Sequence, residues 1–556
     1  MKRVIALLLV LVSLVGLAAC GEKTTTEQKF DDKGRVKISI GLGSSAKILD
    51  MEENELTYWL EKTTGYDIEI VEYAGGTDVA TQISATIAAR QDLPDILWGV
   101  NVGASTVSKY GQEGYFVDLR PYYEDVEGKS KIFWERMAEC LTDYQQEYVV
   151  NKMIDPDTGG IYGVPTIETS LVDDLDFMVW INRQWLDKLN LQAPTNTDEL
   201  YTVLKAFKDN DCNGNGDPND EIPLFGSQNT SSPAKAMNWL INLFIYYNDG
   251  HLWQDYDGDG QIESVYTQDK YREALSFIHR LYKEKLLTTM IYTASSSDMK
   301  SITTPNNGTA LCGIFTGHLT SHTTFNNEVL YQYECLQTWG AATKGDISYA
   351  LDCYITETAQ KREVVDECFN LLMTMWTKDG ALRIRYGAKD INWTDADEGA
   401  KSEYGIPAQY KMLNDPFMQQ NNVMWGDIAG TLNDYAEGES AQLDESKLGP
   451  WQTKKSQMLA QAYQFYLNAV EKNNPNYLAD PFLETFSLTK VDDDAINMKR
   501  TNVNNVINTY IKNFVTGDKK LDIDNPAHWQ EFLNEMKKEG YDDVRAMYQK
   551  YYELQK

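Results

Sequence analysis

The densest run of oxygen-bearing side chains is Asp211, Cys212, Asn213, Gly214, Asn215, Gly216 and Asp217, followed by Asp220 and Glu221. Calcium takes about six to eight oxygen ligands, and Asp211, Asn213 and Asn215 at alternate positions would supply side-chain oxygens while Gly216 permits a sharp turn. Asp217 would add its backbone carbonyl, and Asp220 and Glu221 would close the shell. The spacing departs from an EF-hand, whose loop ends in a bidentate Glu on the following helix. Structural calcium is the expectation here, a polar turn the plain alternative. A second run holds Asp255, Asp257, Asp259, Gln261 and Glu263, but Tyr266 stands where the bidentate Glu belongs. A hairpin turned by Asp-Gly accounts for it equally well.

Enzyme signatures are weaker. Gly41, Gly43 and Ala46 follow a strand-like run, with Glu69 and Glu72 near the end of the next one, which mimics a dinucleotide fingerprint. The next helix starts near Glu52 and not at Ala46, so the fingerprint lacks its helix. Gly128, Lys129 and Ser130 have no upstream phosphate-loop glycine, and no Gly-x-Ser-x-Gly elbow occurs. His318 and His322 could share a helix face, but Leu319 stands where a zinc protease needs Glu. Carboxylate pairs for glycoside hydrolysis cannot be read from spacing among 83 acidic residues. The reading is a non-enzyme, with a cell-surface carbohydrate-active enzyme as a lesser alternative.

The elements that must position such residues begin after an export signal. Lys2 and Arg3 precede an apolar run from Val4, which closes on Leu17, Ala18, Ala19 and Cys20. This is the pattern of a bacterial lipoprotein signal over 1–19, with Cys20 as the acylated (palmitate-bearing) residue. The polar stretch 20–35 reads as a flexible tether. The formal charge of −32 argues against nucleic acid and against electrostatic docking to anionic lipid, leaving the acyl chains as the membrane attachment. Mean hydropathy of −0.47 with 42% hydrophobic residues indicates a folded, water-facing body. Six cysteines beyond Cys20, at 140, 212, 312, 335, 353 and 368, lack zinc-type spacing and read as buried thiols. Val36, Ile38 and Ile40 alternate as a strand, Leu56, Trp59 and Leu60 share a helix face, and Tyr66, Ile68 and Ile70 alternate again. A helix over 77–90 and a short buried strand at 94–98 complete a parallel α/β pattern. A second unit follows Pro165, with a strand at 177–181 and helices at 183–189 and 197–208. Further helices fit 271–286, 364–376, 455–470 and 528–538.

From Ile181 to Leu224 the chain reads INRQWLDKLNLQAPTNTDELYTVLKAFKDNDCNGNGDPNDEIPL. With GQEGYFVDLRPYYED at 111–125, GGIYGVP at 159–165 and FVTGDKKLDID from Phe514, it resembles the extracellular solute-binding lipoproteins of bacterial ABC transporters, carbohydrate-type family 1. An extra residue between Gly216 and the Asp220, Glu221 pair departs from that pattern. The resemblance implies a two-lobe periplasmic-binding-protein-like α/β fold with a helix-rich C-terminal part. Lobe 1 is expected over 36–165 and 312–349, and lobe 2 over 166–311 and 350–556, with hinges near Pro165, Leu311 and Ala350. It also implies a monomer on the outer face of the cell membrane that hands a carbohydrate, most simply an oligosaccharide, to ABC permease subunits. A peptide or other solute is the alternative cargo. Sugar faces stack on aromatic rings while their hydroxyls need polar partners. The expected ligand-binding residues are therefore Ser44, Ser45, Trp98, Trp180, Trp239, Gly317, His318, Trp339, Tyr386 and Trp393, all in or beside loops that follow predicted elements.

Overall fold

The computed structural model describes residues 29–555 apart from 75–77, 170–177, 218, 248–251, 320, 325–326, 341, 344–346, 415–419, 427, 434–439, 443–449, 472–476 and 479–486. The signal segment 1–19 and Cys20 lie outside the described residues. Residues 29–35, expected within the tether, are instead packed on the fold. Phe30 bridges to Val36, and Arg35 forms ion pairs with Asp31, Glu61 and Asp67.

In chain order the first strands are β1 (Lys37–Gly43), β2 (Asp67–Tyr73), β3 (Ile96–Leu97), β4 (Val164–Thr169), β5 (Val179–Asn182), β6 (Ile222–Phe225), β7 (Trp253–Gln254) and β8 (Glu263–Ser264). There follow β9 (Cys312–Thr316), β10 (Tyr333–Cys335), β11 (Ala342–Thr343), β12 (Ile347–Ile355), β13 (Trp393–Asp395), β14 (Tyr410–Met412), β15 (Leu432–Asn433) and β16 (Tyr477–Leu478). Two sheets dominate, ordered β15-β4-β12-β3-β1-β2 and β10-β5-β9-β6. The parallel pairing of β1 with β2 and β3 is the one the strand–helix–strand pattern predicts.

Ile38, Ile40 and Leu42 of β1 are buried against the helices Glu55–Thr64 and Val365–Met375 to make the first core. The second gathers Trp180, Trp185, Leu200, Leu204, Phe207 and the apolar faces of Asp269–Lys283 and Lys490–Thr516. Asn196 caps the Thr197–Asp209 helix by accepting from Glu199 N–H, so its Leu200, Val203, Leu204, Phe207 stripe is presented to that core. The described cysteines are free thiols, and all but Cys140 are buried.

This topology corrects the expected lobe boundaries. β9 and β10 belong to the second sheet, so 312–335 is part of lobe 2 and Leu311 is not a hinge. All five residues of β9 are buried between β5 and β6, a position only a strand of that sheet can fill. The end of β12 pairs with β3, and Ala359, Cys368, Phe369, Leu372 and Trp376 join the first core. The stretch from Leu351 to the end of Lys378–Tyr386 therefore belongs to lobe 1, and β15 returns to β4. In the last third, Met458, Leu459, Ala462 and apolar residues from Ile496 to Tyr548 pack into the second core.

One buried ion pair ties lobe 1 together. The Asp95 carboxylate accepts from Ser39 N–H at 2.8 Å and Ser39 Oγ at 2.9 Å and pairs with Arg362, which also donates to the Lys37 carbonyl at 3.1 Å. Asp95 and Arg362 are both buried, so removing one partner strands the other charge. Asp95→Ala is expected to cost about 3–5 kcal/mol in urea unfolding, and Asp95→Ala with Arg362→Met distinctly less than the sum of the single changes.

Candidate functional site

Strand direction locates the seam between the lobes. β12 runs antiparallel to β3 and to β4, so its start and the end of β4 both extend past the C-terminal ends of β1 and β3. In the second sheet β10 ends opposite Trp180, at the start of β5, and the chain then returns to β12. β9 is antiparallel to β5 and parallel to β6, so the ends of β6 and β9 face the same way. The loops after β1 and β3 therefore leave the first sheet on the side where β4 and β12 cross to the second, and the loops after β6, β9 and β10 leave the second sheet on the side where the chain enters β5 and leaves β10; loops beyond carboxyl strand ends are where open α/β sheets bind ligands.

Four of the five predicted tryptophans are buried and do not take the predicted role. Trp98 is 1% exposed, donates from Nε1 to the Gly430 carbonyl at 2.9 Å and meets Trp425 edge-on with centroids 6.1 Å apart. Trp180 is fully buried and donates to the Gly317 carbonyl at 2.7 Å. Trp239, in the helix Ala236–Asn242, is equally buried. The three rings are buried in core, so the expectation of sugar stacking is corrected; Trp98 and Trp180 also pin the loops at Gly430 and Gly317 through their N–H groups. Gly99 shows how tight that anchoring is: at φ +68 an added Cβ would sit 1.8 Å from the Ile428 carbonyl.

Trp393 is also corrected. It is 6% exposed in a small separate cluster with Leu382 and Tyr410, and its Nε1 donates to Gly387 at 3.0 Å. Tyr386 packs on that cluster, 5.3 Å from Tyr410 between centroids. Ser44 and Ser45 follow β1, half-buried, and Ser44 N–H bonds to the Tyr73 carbonyl at 2.7 Å. Trp339, half-buried after β10, and His318, half-buried after β9, keep partial exposure, while Gly317 is buried.

Sequence reasoning singled out Arg385 as a candidate cleft cation but missed Gln228, Asn238 and Asp352. Gln228, after β6, receives Met237 N–H at 3.2 Å and donates to Asn238 at 3.0 Å. Asn238 Nδ2 and Trp239 Nε1 are buried without a partner among the described residues. In lobe 1, Arg385 Nη1 reaches Glu168 at the end of β4 over 2.9 Å. Asp352, at the irregularity of β12, accepts from Thr166 Oγ1 of β4 at 2.8 Å. Of these only Gln228 follows a strand end; Asn238 and Arg385 lie in helices and Asp352 within β12, where nothing local in the sequence marks them.

The Asp211 loop closes on itself. Asp211 accepts from Gly214 and Gly216 N–H at 2.7 and 3.0 Å, and Asn215 N–H and Asp217 N–H bond to the side-chain oxygens of Asn213 and Asn215. Asp220 receives the Asn213 and Asn215 amides at 3.0 and 2.6 Å. Glu221 Oε1 accepts from Cys212 N–H at 2.7 Å, whereas its buried Oε2 has no partner among the described residues; burial raises this carboxyl above the usual range. Among the described residues no group of three or more His, Cys, Asp or Glu is arranged to hold a metal ion, and the loop's side-chain oxygens are largely spent on its own N–H groups; the unpartnered Oε2 is what a cation would satisfy. The second acidic run is the β7–β8 hairpin. Asp255 accepts from Asp259 and Gly260 N–H at 3.0 and 2.9 Å, and the Glu263 carboxylate turns to Gln268 at 3.0 Å. Gln549 of the last helix holds the hairpin through Ile262 N–H and the Gly260 carbonyl.

Residues 59–314 match the family of bacterial extracellular solute-binding proteins, and residues 490–554 match a domain of unknown function (DUF3502). The fold is that of the two-lobe solute-binding proteins, and the stretch 59–314 carries that family's sequence. The chain is 33% identical over 298 residues to the fructooligosaccharide ABC transporter substrate-binding protein FusA of Streptococcus pneumoniae, covering 50% of this chain and 51% of FusA. It is 24% identical over 274 residues to lipoprotein LipO of Bacillus subtilis, covering 49% of this chain and 48% of LipO. The chain thus spans about half the length of the curated relatives it matches. Among solved structures, an HMO-binding ABC-transporter-associated solute-binding protein of Bifidobacterium longum infantis aligns with TM-score 0.68 at 18% identity, covering 94% of this chain and 99% of that one. An EF-hand mutant of FusA in complex with fructo-nystose aligns with TM-score 0.59 at 20% identity, covering 93% and 99%.

Two outcomes follow from the geometry. Trp98→Ala and Trp180→Ala are each expected to lose about 3–5 kcal/mol of stability in denaturant unfolding, as core truncations do. Burial pushes the Asp352 carboxyl up to about 6. Above that pH the folded protein carries a charge that the unfolded chain ionises more readily, so the native state binds the extra proton only between the two values. Asp352→Asn is therefore expected to raise the Tm at pH 7.5 and to lose that advantage near pH 4.5, read by scanning calorimetry at both values.

Proposed function

We propose that the protein captures a carbohydrate, most simply an oligosaccharide, in the seam between its two lobes and delivers it to an ABC permease. The observation that carries this reading is strand direction: the carboxyl ends of β1 and β3, and those of β6, β9 and β10, lie on the sides of their sheets where the chain crosses from one to the other. The loops there carry half-buried hydroxyl, amide and aromatic groups: Ser44, Ser45, Gln228, His318 and Trp339. Such a lining offers hydrogen-bond partners for sugar hydroxyls and a ring for a sugar face. The Arg385–Glu168 pair balances its own charge, which suits neutral glycans better than uronates. The FusA match, a fructooligosaccharide-binding relative, and the HMO-binding neighbour support the same cargo class.

The reading extends to an acylated Cys20 holding the body, as a monomer, on the outer face of the membrane; the lipoprotein relative supports the anchor. Among the described residues no helix is long and apolar enough to cross a membrane. Calcium held by Asp211, Asn213, Asn215, Asp217, Asp220 and Glu221 would brace the loop before β6, one of the strands that carry the cleft wall. The role is binding, not catalysis.

A thermal-shift screen with kestose, milk oligosaccharides and peptides, with and without EGTA, tests both parts. A bound glycan at ~100 Kd adds about 2.7 kcal/mol and raises the Tm, while EGTA lowers it in the wild type and leaves Glu221→Gln unmoved. Protection by peptides alone would replace the cargo class, and release of reducing sugar would replace binding with hydrolysis. A melting curve indifferent to EGTA would remove the calcium.

A further inference from the structure

The loop after β9 carries a buried imidazole that the binding reading does not use. His322 is 2% exposed. Its Nδ1 lies 3.1 Å from His318 N, and a backbone N–H can only donate, so Nδ1 carries no proton. In a neutral ring the proton then sits on Nε2, which faces Ser231 Oγ at 3.1 Å. The turn is closed reciprocally, because His322 N–H donates to the His318 carbonyl at 3.0 Å. From the helix Ser296–Thr303, Thr303 Oγ1 reaches the His322 carbonyl at 2.9 Å.

Ser231 belongs to the loop after β6 and His318 to the loop after β9, so one ring bridges two walls of the lobe 2 seam. The loop after β6 is fixed to β9 at a second point, where Thr316 Oγ1 donates to the Ala234 carbonyl at 2.9 Å. Gly317 enforces the approach: at φ +137, an added Cβ would stand 3.0 Å from His322 Cβ and Cγ. The same tautomer keeps the Ser231–His322 contact from being a nucleophile–base pair, since Nε2 donates and cannot take the hydroxyl proton.

We infer that His322, held as the neutral Nε2–H tautomer, is a positioning residue that staples the loops after β6 and β9 into one wall of the cleft, and that protonation of its Nδ1 releases them. This rests on the reading of the seam as a binding cleft. Protonation would set an N–H against the His318 N–H and break the reciprocal turn, the new N–H being left to turn to Ser321 Oγ, 3.2 Å from Nδ1. The groups facing the ring oppose it at neutral pH. His318 lies 6.1 Å away between ring centroids, and Lys300 projects from the helix Ser296–Thr303. Asp298 of that helix is engaged in its own N-cap with Ser295. The loop 226–234 carries no charged side chain. Burial, with Lys300, holds His322 below the usual histidine range, and burial, with His322, holds His318 down to about 4. The folded protein thus takes up these protons later than the unfolded chain, and acid weakens the staple in the window from about 6.5 downward.

The test needs no sugar, so its outcome is separable from that of the cargo screen. In full-length protein labelled with 15N-histidine, long-range 1H–15N spectra at pH 7.5 should show His322 as the Nε2–H tautomer, assigned by the signal lost in His322→Asn. Hydrogen–deuterium exchange, corrected for intrinsic pH dependence, should speed up about tenfold in peptides covering 226–234 and 317–323 between pH 7.5 and 4.5, with the remaining core strands unchanged. His322→Asn keeps an acceptor near Nδ1 but cannot be protonated, and should abolish that local acid response. An Nδ1–H tautomer in the wild type, pH-independent exchange of both segments, or the same acid response in His322→Asn would each overturn the inference. If His322→Asn does not fold, the signal is assigned by elimination with His318→Asn and the wild-type spectra and exchange decide alone.

Discussion

β12 is a single strand shared by both parts of the seam. Its end pairs Ile355 with Ile96 and Tyr354 with Leu97, inside the first sheet, while its beginning pairs Ile347 to Ala350 with Thr169 to Thr166 beyond it. Because both pairings are antiparallel, β3 and β4 must run the same way, and whatever follows β4 must lie past the carboxyl ends of β1 and β3. That directional constraint places the second lobe and decides which loops can meet. The register breaks at Asp352, where a carboxylate accepts from Thr166 of the neighbouring crossing strand, so a polar side-chain bond between these strands sits at their irregularity.

Around that frame, large aromatics and polar groups divide the work. Trp98 and Trp180 each spend their ring on core packing and their single N–H on a loop carbonyl, Gly430 in one lobe and Gly317 in the other. An indole buried this way gains from apolar area while avoiding an unsatisfied donor. It also fixes the path of a loop that smaller side chains then line. His322 does the corresponding job between two loops of the second lobe, through two ring nitrogens with opposite hydrogen-bonding roles.

The helices and strands with strong periodicity were legible in the chain. The predicted helix at 197–208 is observed as Thr197–Asp209, that at 364–376 as Val365–Met375, and that at 528–538 as Pro526–Lys538. The lobe boundaries were not. Periodicity says that Cys312 to Phe315 form a buried strand, but nothing local says whether that strand inserts between β5 and β6 or returns to the first sheet. The same limit applies to the site: being next to a strand end is visible in sequence, whereas burial of a ring face depends on what folds over it from elsewhere. For Trp98 that covering comes from Trp425 and Gly430, more than three hundred positions away.

The amino-acid sequence by itself determined the element types, the α/β class and the acidic loop from Asp211 to Glu221, because each depends on side chains a few positions apart. Tertiary structure alone decided which lobe each strand serves, which tryptophans face core instead of solvent, and which nitrogen of His322 carries its proton. Those outcomes are set by contacts between segments distant along the chain, and hydrophobic burial, being non-directional, does not choose among such partners until the strands have found their register.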